Sequence, residues 1–487
     1  MGSAEIGRKP VDVRRIFFIL LGVALFLGVY VSPPWSDAVV EGERFPLTRE
    51  GKAAIGLFLL TATWWVFEVI PIGVTSIMIA VVQSLFLIRD TRRVFTDFLD
   101  PSVWFIFGSL TIGMVFTKTG LTRRLAYGML SLVGERTSMI YLGCFGLTMG
   151  LTLIMAHTAV AATVYPLFLA IHALYTDSDR PTRFGKGLFI GMAFVAGAGS
   201  IITLLGAARG AVAIGFFKEM TGRSIGFFEF SYYLFPVGVA MTLLLWAFIL
   251  AVFRPERKTI PGLRERAKHL RARLGPITRN EVLALTLVLA AIVVLAARSV
   301  LPALGFMDKS AIILTTTVCF FVFRVLKVED LEETSWNIIL LFGGAMCIGF
   351  CLWETEAAKW LAVKWLVLFH SAPALVFILA IGLFVLMFTN LIMNVAAIAI
   401  TLPVALVMAQ YIGVAPEVIF YTSLVTAGMP FLLLVGAAPN AIAYGSGQFT
   451  SREFFLAGIP ASILLMLLLA LFVQFLWPLM GMPVFLS

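Results

Sequence analysis

Apolar residues run along this chain in long blocks with few charged interruptions, at 16–33, 53–69, 70–88, 102–117, 138–172, 187–217, 229–253, 282–300, 309–326, 336–352, 373–409, 415–445 and 454–481. A helix of about 20 apolar residues spans a bilayer, so most blocks predict one crossing each. Four are too long for a single plain span. Blocks 138–172 and 373–409 carry polar residues at their centres, which predicts two half-spans meeting at a tip, a re-entrant hairpin. Blocks 187–217 and 415–445 carry Gly/Ala-rich interruptions, which predict broken helices. The expected fold is an all-α polytopic membrane protein with two re-entrant hairpins, two broken helices and about 11 transmembrane spans.

The two halves repeat each other. Phe107-Gly108-Ser109 matches Phe342-Gly343-Gly344, and Lys118-Thr119-Gly120 with Arg124-Leu125-Ala126 matches Glu354-Thr355-Glu356 with Trp360-Leu361-Ala362. His157-Thr158-Ala159 with Pro166 matches Asn394-Val395-Ala396 with Pro403, and Gly206-Ala207-Ala208-Arg209-Gly210 matches Gly436-Ala437-Ala438-Pro439-Asn440. The matches keep one order at an offset of roughly 235 residues. An odd number of crossings between the copies would insert them in opposite directions. Inverted repeats with paired broken helices mark secondary transporters whose site lies near the midplane; duplication in a membrane protein with another task is the alternative. The expected division is scaffold helices at 1–100, first-repeat transport elements at 101–228 and scaffold helices at 229–335 with a basic loop at 254–280. Second-repeat transport elements follow at 336–450, and a C-terminal scaffold helix at 451–487.

Composition agrees. Of 487 residues, 60% are apolar and 13% charged, and the mean hydropathy is +1.00. Soluble domains are about a quarter charged, so a soluble enzyme, a coiled coil and a disulfide-stapled secreted domain are excluded. The net charge of +9 resides in loops between the apolar blocks, which fits the positive-inside rule and no nucleic-acid partner. Nine Lys or Arg (Arg254, Arg257, Lys258, Arg264, Arg266, Lys268, Arg271, Arg273, Arg279) make the Arg254–Asn280 loop the cytoplasmic marker. A cytoplasmic N-terminus agrees with it, because Arg8, Lys9, Arg14 and Arg15 precede the run Ile16–Val31. Ser32-Pro33-Pro34-Trp35 follows that run where a signal peptide would have a small-residue cleavage site, which predicts a retained first helix. The inner, plasma membrane is the expected location. Arg89-Asp90-Thr91-Arg92-Arg93 would then lie outside, against the charge rule, and the longer loop decides. Cys144, Cys319, Cys347 and Cys351 follow no metal spacing and read as small core residues.

Backbone that leaves the helix at membrane depth must line a cavity or be buried by protein. Where it does so twice in matching places, half-helix N-termini converge and offer N–H groups and positive dipole ends to a small anion. His157 sits deep in an apolar block, and its counterpart Asn394 is polar too; the readings are a ligand-facing pair or a buried, satisfied histidine. Arg209 interrupts another block, as a fixed positive charge beside an anion or as a side chain snorkelling to an interface. Pro439-Asn440 is its counterpart. Thr158, Thr163, Thr203 and Asn390 are further polar candidates. Glu68 lies where a span ends, as an interfacial structural group or a proton relay. His172, His269 and His370 receive no function. No Gly-x-Ser-x-Gly, His-Glu-x-x-His or Gly-Lys-Ser/Thr motif occurs, so no enzyme is expected.

Together these landmarks resemble the divalent anion/sodium symporter family, the dicarboxylate, citrate and sulfate carriers of a wider ion-transporter superfamily. The resemblance rests on Trp64-Trp65-x-x-Glu68-x-x-Pro71, Lys118-Thr119-Gly120-Leu121, Leu341-Phe342-Gly343-Gly344, and Pro439-Asn440-Ala441-Ile442 running into Gly445-Ser446-Gly447. It implies an elevator-type carrier, usually a homodimer, with a scaffold domain and a transport domain. It also implies Ser-Asn-Thr hairpin tips that bind substrate carboxylates and help hold sodium. Here the tips read Ala156-His157-Thr158 and Met393-Asn394-Val395, and the first break reads Ala207-Ala208-Arg209-Gly210 where the family has Thr-Pro-Pro-Asn. Three customary hydroxyls are thus replaced by Ala156, Met393 and Val395.

The expected function is secondary active transport of a small anion, a dicarboxylate or a sulfate-like oxyanion. The expected substrate residues are His157, Thr158, Arg209, Asn394, Pro439 and Asn440. A sodium site is expected near Thr203, Gly206, Gly436 and Asn440, while the altered tips put sodium coupling in doubt. Arg209, with a proton on His157, could stand in for at least one sodium ion. No organic cofactor is expected; the coupling ion is sodium or a proton. Export or exchange of another anion, such as arsenite or an organosulfonate, and an anion channel are the alternatives.

Overall fold

The structure is a computed structural model and describes residues 13–40, 43–67, 69–176, 180–300, 304, 306–334, 336–369, 373–391 and 393–485. Arg8, Lys9, Glu68 and His370 lie outside the described residues. The first half of the chain contributes α1 (Val13–Val31), α2 (Arg49–Val66), α3 (Ile72–Leu85), α4 (Thr91–Asp97), α5 (Pro101–Thr119), α6 (Leu121–Val133), α7 (Thr137–Thr152), α8 (His157–Tyr175), α9 (Arg183–Ser200), α10 (Arg209–Thr221) and α11 (Phe227–Val252). The second contributes α12 (Leu263–Arg273), α13 (Arg279–Val300), α14 (Lys309–Val322), α15 (Val328–Glu332), α16 (Trp336–Glu354), α17 (Ala357–Phe369), α18 (Ala374–Leu391), α19 (Asn394–Ile412), α20 (Pro416–Ala427), α21 (Ala438–Tyr444), α22 (Ser451–Leu471) and α23 (Trp477–Leu479). A short β-hairpin pairs Ala38–Val40 with Glu43–Phe45.

Six of the described helices are individually long and apolar enough to cross a membrane, and the pair Val103–Thr119 and Leu121–Val133, bent by 67°, could form a seventh. Four shorter apolar helices, Ile72–Leu85, Thr137–Thr152, Lys309–Val322 and Ala374–Asn390, accompany them, which is compatible with the expected number of spans. The bend falls at Gly120, whose φ of +83° favours glycine. Large apolar side chains such as Leu20 on α1, Val293 on α13 and Leu467 and Leu471 on α22 are exposed, as lipid-facing helices require. By contrast, α9, α19 and α20 are buried nearly all round, which places them in the interior.

The two halves pack in matching ways. Arms α7 and α8 form one helical hairpin, and α18 and α19 the other. The second arm of each carries an internal proline, Pro166 or Pro403. Arm α8 packs on α9 of its own half and on α21 of the other; arm α19 packs on α20 of its own half and on α10 of the other. Each broken helix, α9–α10 and α20–α21, is therefore shared between the two hairpins. Around them α3 packs on α16 and α5 on α14, again joining the halves.

Charged residues tie the outer layer together. Arg89 is buried, donates to both carboxylate oxygens of Glu354 at 2.8 and 2.9 Å, and reaches Asp97 Oδ2 at 2.7 Å. This removes part of the conflict with the charge rule, since Arg89 is a satisfied interior group and not a free loop charge. Asp90 caps α4 by accepting from the N–H groups of Arg92 and Arg93. Removing one partner of a buried ion pair costs about 3–5 kcal/mol. Arg89→Ala is therefore expected to lower the apparent Tm of the detergent-solubilised protein clearly. Arg93→Ala, whose side chain is 72% exposed, is expected to leave it unchanged. Equal melting of both variants and the wild type would remove the structural role assigned to Arg89.

Candidate functional site

A cavity of about 1410 Å³ opens between the hairpins and broken helices. Its wall includes the first tip (Ala156, His157, Thr158), the second tip (Met393, Asn394, Val395), the first break (Ala207, Ala208) and the second (Gly436, Ala437, Ala438). All four regions predicted to converge do so. The local sequence explains what they offer. Helices α8, α10, α19 and α21 begin after Ala156, Ala208, Met393 and Ala437, and none of these residues makes a side-chain cap. Helix starts are usually capped by Ser, Thr, Asp or Asn. Alanine and methionine cannot accept from first-turn N–H groups, so the positive ends of the longer helices α8, α10 and α19 have no competing side-chain partner.

The tips are fastened to the breaks by hydrogen bonds. The His157 backbone N–H donates to Gly206 O at 2.9 Å, and its ring Nδ1 lies 3.3 Å from the same oxygen. With Nδ1–H on that carbonyl, Nε2 is an acceptor in the neutral ring and a donor only when the ring is protonated. In the second half, Asn390 Oδ1 accepts from the N–H groups of Leu432 and Leu433 at 2.7 and 3.2 Å, and Nδ2 donates to Leu386 O. Thr389 Oγ1 donates to Ala427 O. Asn390 is thus a brace for the second break.

The structure brings together only part of the expected substrate set. His157, Thr158 and Asn394 line the cavity; Arg209, Pro439 and Asn440 do not. Arg209 is 1% exposed and its Nη2 donates to Ser200 Oγ at 2.7 Å, across the first break. Asn440 Nδ2 donates to Pro430 O and Leu433 O, at 2.8 and 3.1 Å, within the second. The Asn440 side chain satisfies carbonyls of its own loop, as a helix break at this depth requires, whereas the Arg209 guanidinium bonds a side-chain hydroxyl at the end of α9. Snorkelling of Arg209 toward an interface does not fit its burial in protein. Thr163 lines the cavity and Thr203 does not, and both hydroxyls bond to carbonyls, Ala159 O and Leu153 O.

The residues expected around sodium divide between the breaks: Thr203 and Gly206 at one, Gly436 and Asn440 at the other. The Thr203 hydroxyl donates to Leu153 O, the Gly206 carbonyl accepts from His157, and the Asn440 Nδ2 donates within its own loop, which leaves lone pairs on Thr203 Oγ1 and Asn440 Oδ1.

The mouth of the cavity holds residues that sequence reasoning did not select. Lys118 pairs with Asp330. Burial works against the ionised Asp330, but the Lys118 ammonium and the Lys327 N–H outweigh it and hold its carboxyl below the ordinary value. Arg123 on α6 and Arg266 on α12 are exposed and line the same opening. Helix α12 packs on α6, which brings the basic loop to the cavity. A charge count marked that loop for topology but carried no signal of this proximity.

Comparison with known proteins agrees with this architecture. A family model described as the sodium:sulfate symporter transmembrane region matches residues 45–483. The sodium-dependent dicarboxylate transporter SdcS of Staphylococcus saprophyticus is 24% identical over 492 residues, covering 96% of this chain and 93% of that protein. SdcS of Staphylococcus aureus is similar at 24% identity, with 97% and 93% covered. Two solved structures share the fold. The Alcanivorax borkumensis YdaH transporter has a TM-score of 0.56 at 15% identity, with 96% of this chain and 98% of that chain covered. Neisseria gonorrhoeae MtrF has a TM-score of 0.54 at 14% identity, with 94% and 93% covered. The chain is thus an integral membrane protein, a secondary anion transporter and not an enzyme, and it belongs to the sodium:sulfate symporter family.

Proposed function

We propose that this transporter carries a small dianion, a dicarboxylate or sulfate, held between the hairpin tips at His157, Thr158 and Asn394, with the His157 ring taking up a proton so that Nε2 donates to it. One observation carries the reading: uncapped helix starts from both halves line a single cavity. Such starts recognise carboxylate and oxyanion groups through backbone N–H groups and need no dedicated cationic side chain. The two hairpins and two broken helices form the moving body, oppositely inserted repeats sliding as an elevator against the outer helices. The basic helix α12 at the mouth supports a cavity open to the cytoplasm, with the N-terminus on the same side.

Arg209 replaces at least one sodium ion. The relatives' names describe sodium-dependent dicarboxylate transporters, but here Ala156, Met393 and Val395 offer no side-chain oxygen to a cation. A guanidinium does not dissociate and does not deprotonate in proteins, so it supplies its charge permanently.

Two outcomes test this reading. Succinate or sulfate is expected to raise the apparent Tm of the purified protein, since a native-state ligand at 100 times its Kd adds about 2.7 kcal/mol. His157→Ala and Asn394→Ala are expected to melt near the wild type yet lose that shift. Absence of any anion-induced shift, or full shifts in both variants, would refute the site. In proteoliposomes, replacing sodium by potassium is expected to leave succinate or sulfate uptake unchanged; strict sodium dependence would refute the role given to Arg209.

A further inference from the structure

A helix that continues a membrane-crossing α5 after a bend of 67° runs close to the membrane plane, and α6 is that helix. It has two faces. Thr122, Ala126 and Leu130 are buried in protein, whereas Leu125 and Leu132, seven residues apart and so on one side, are exposed, Leu132 at 84%. Helix α12 packs on α6 with Leu263 and Ala267 buried. Its other positions carry Arg264, Arg266, Lys268, Arg271 and Arg273, all exposed, against a single acid, Glu265, which pairs with Lys268 at 2.8 Å. The neighbouring acids are engaged as well. Glu256 accepts from the Arg183 and Phe184 N–H groups, Glu135 from the Gly262 N–H, and Glu281 pairs with Arg124. Among the described residues, no carboxylate is in salt-bridge contact with Arg123, Arg264, Arg266, Arg271 or Arg273.

We propose that the shelf formed by α6 and α12 binds anionic phospholipid: acyl chains cover Leu125 and Leu132, and phosphate headgroups sit among the guanidiniums of α12. Charge and layering select this partner together. An exposed apolar face beside a basic cluster matches the boundary between acyl chains and headgroups, where a helix lying in the interface keeps both satisfied. The negative potential of a cytoplasmic leaflet attracts such a cluster. Arginine suits the phosphate, because its planar fork donates two parallel N–H bonds to one group. A nucleic acid or an acidic protein would use the charges and leave the leucines uncovered. The seat adjoins the cavity, since Arg123 of α6 and Arg266 of α12 also line its mouth. Bound headgroups therefore tie α12, and with it that lip of the cavity, to the membrane surface. This goes beyond the anion-carrier reading and does not depend on it.

The test follows the apparent Tm of the full-length protein in an uncharged detergent while phosphatidylglycerol, phosphatidylcholine or glycerol 3-phosphate is added. Phosphatidylglycerol is expected to raise the Tm, and raising the ionic strength to about 0.5 M with potassium chloride is expected to weaken that effect. Phosphatidylcholine and glycerol 3-phosphate are expected to leave the Tm unchanged. An equal shift with phosphatidylcholine would overturn the charge selectivity, and an equal shift with glycerol 3-phosphate would make this a site for free phosphate and not for lipid. The triple variant Arg264→Gln, Arg271→Gln and Arg273→Gln changes exposed side chains alone and is expected to melt as the wild type does without lipid. Each charge removed is expected to weaken lipid binding about fivefold, so the half-saturating phosphatidylglycerol concentration rises about a hundredfold. Arg92→Gln with Arg93→Gln, which removes exposed charge from α4, is expected to keep the wild-type concentration. An unchanged value in the triple variant, or an equal rise in the α4 variant, would overturn the assignment to α12. The wild-type comparison of the three additives stands as a test even if the triple variant does not fold.

Discussion

Lipid offers no hydrogen bonds, so a chain that interrupts its helices at membrane depth must answer for every freed amide and carbonyl within the protein. That constraint organises this structure. The interruptions come in matched pairs, and each is satisfied by groups from its neighbours: Gly206 O by the His157 N–H, the Leu432 and Leu433 N–H groups by Asn390, and Pro430 O and Leu433 O by Asn440. Once carbonyls and loop amides are settled in this way, the groups left facing the cavity are helix starts without side-chain caps. The anion site proposed above rests on these helix starts.

The two halves solve the same problem with different side chains. Asn390 and Asn440 brace the second break, whereas the first has Leu153 and Gly210 at the matching positions and uses the Arg209–Ser200 contact. An amide pair is neutral; a guanidinium is not. This asymmetry leaves a buried positive charge at the first break and none at the second.

Much of the fold was legible in the sequence because apolar blocks, their lengths and their polar centres report directly on burial and on breaks. The internal repeat marks the tips at His157 and Asn394 and the breaks near Arg209 and Asn440. What sequence could not supply was direction. Arg209 and Asn440 are expected to face the anion, yet Arg209 bonds Ser200 on α9 and Asn440 its own loop, since a polar side chain at a break can serve either the cavity or the surrounding protein and spacing does not distinguish the two. The buried Arg89–Asp97–Glu354 cluster was also hidden, because its members are distant in sequence and each resembles an ordinary loop charge. Arg123 and Arg266 reach the mouth through the packing of α12 on α6, which no local pattern encodes.

The most direct measurement is the location of a bound anion. Selenate, an oxyanion of sulfate's shape with a strong anomalous signal, can be introduced into crystals of the protein. The account expects one anomalous peak per chain inside the cavity, within contact of His157, Thr158 or Asn394 and beside the starts of α8 and α19. Selenate bound solely at the exposed basic residues of the mouth, with the cavity empty at saturating concentration, would contradict it.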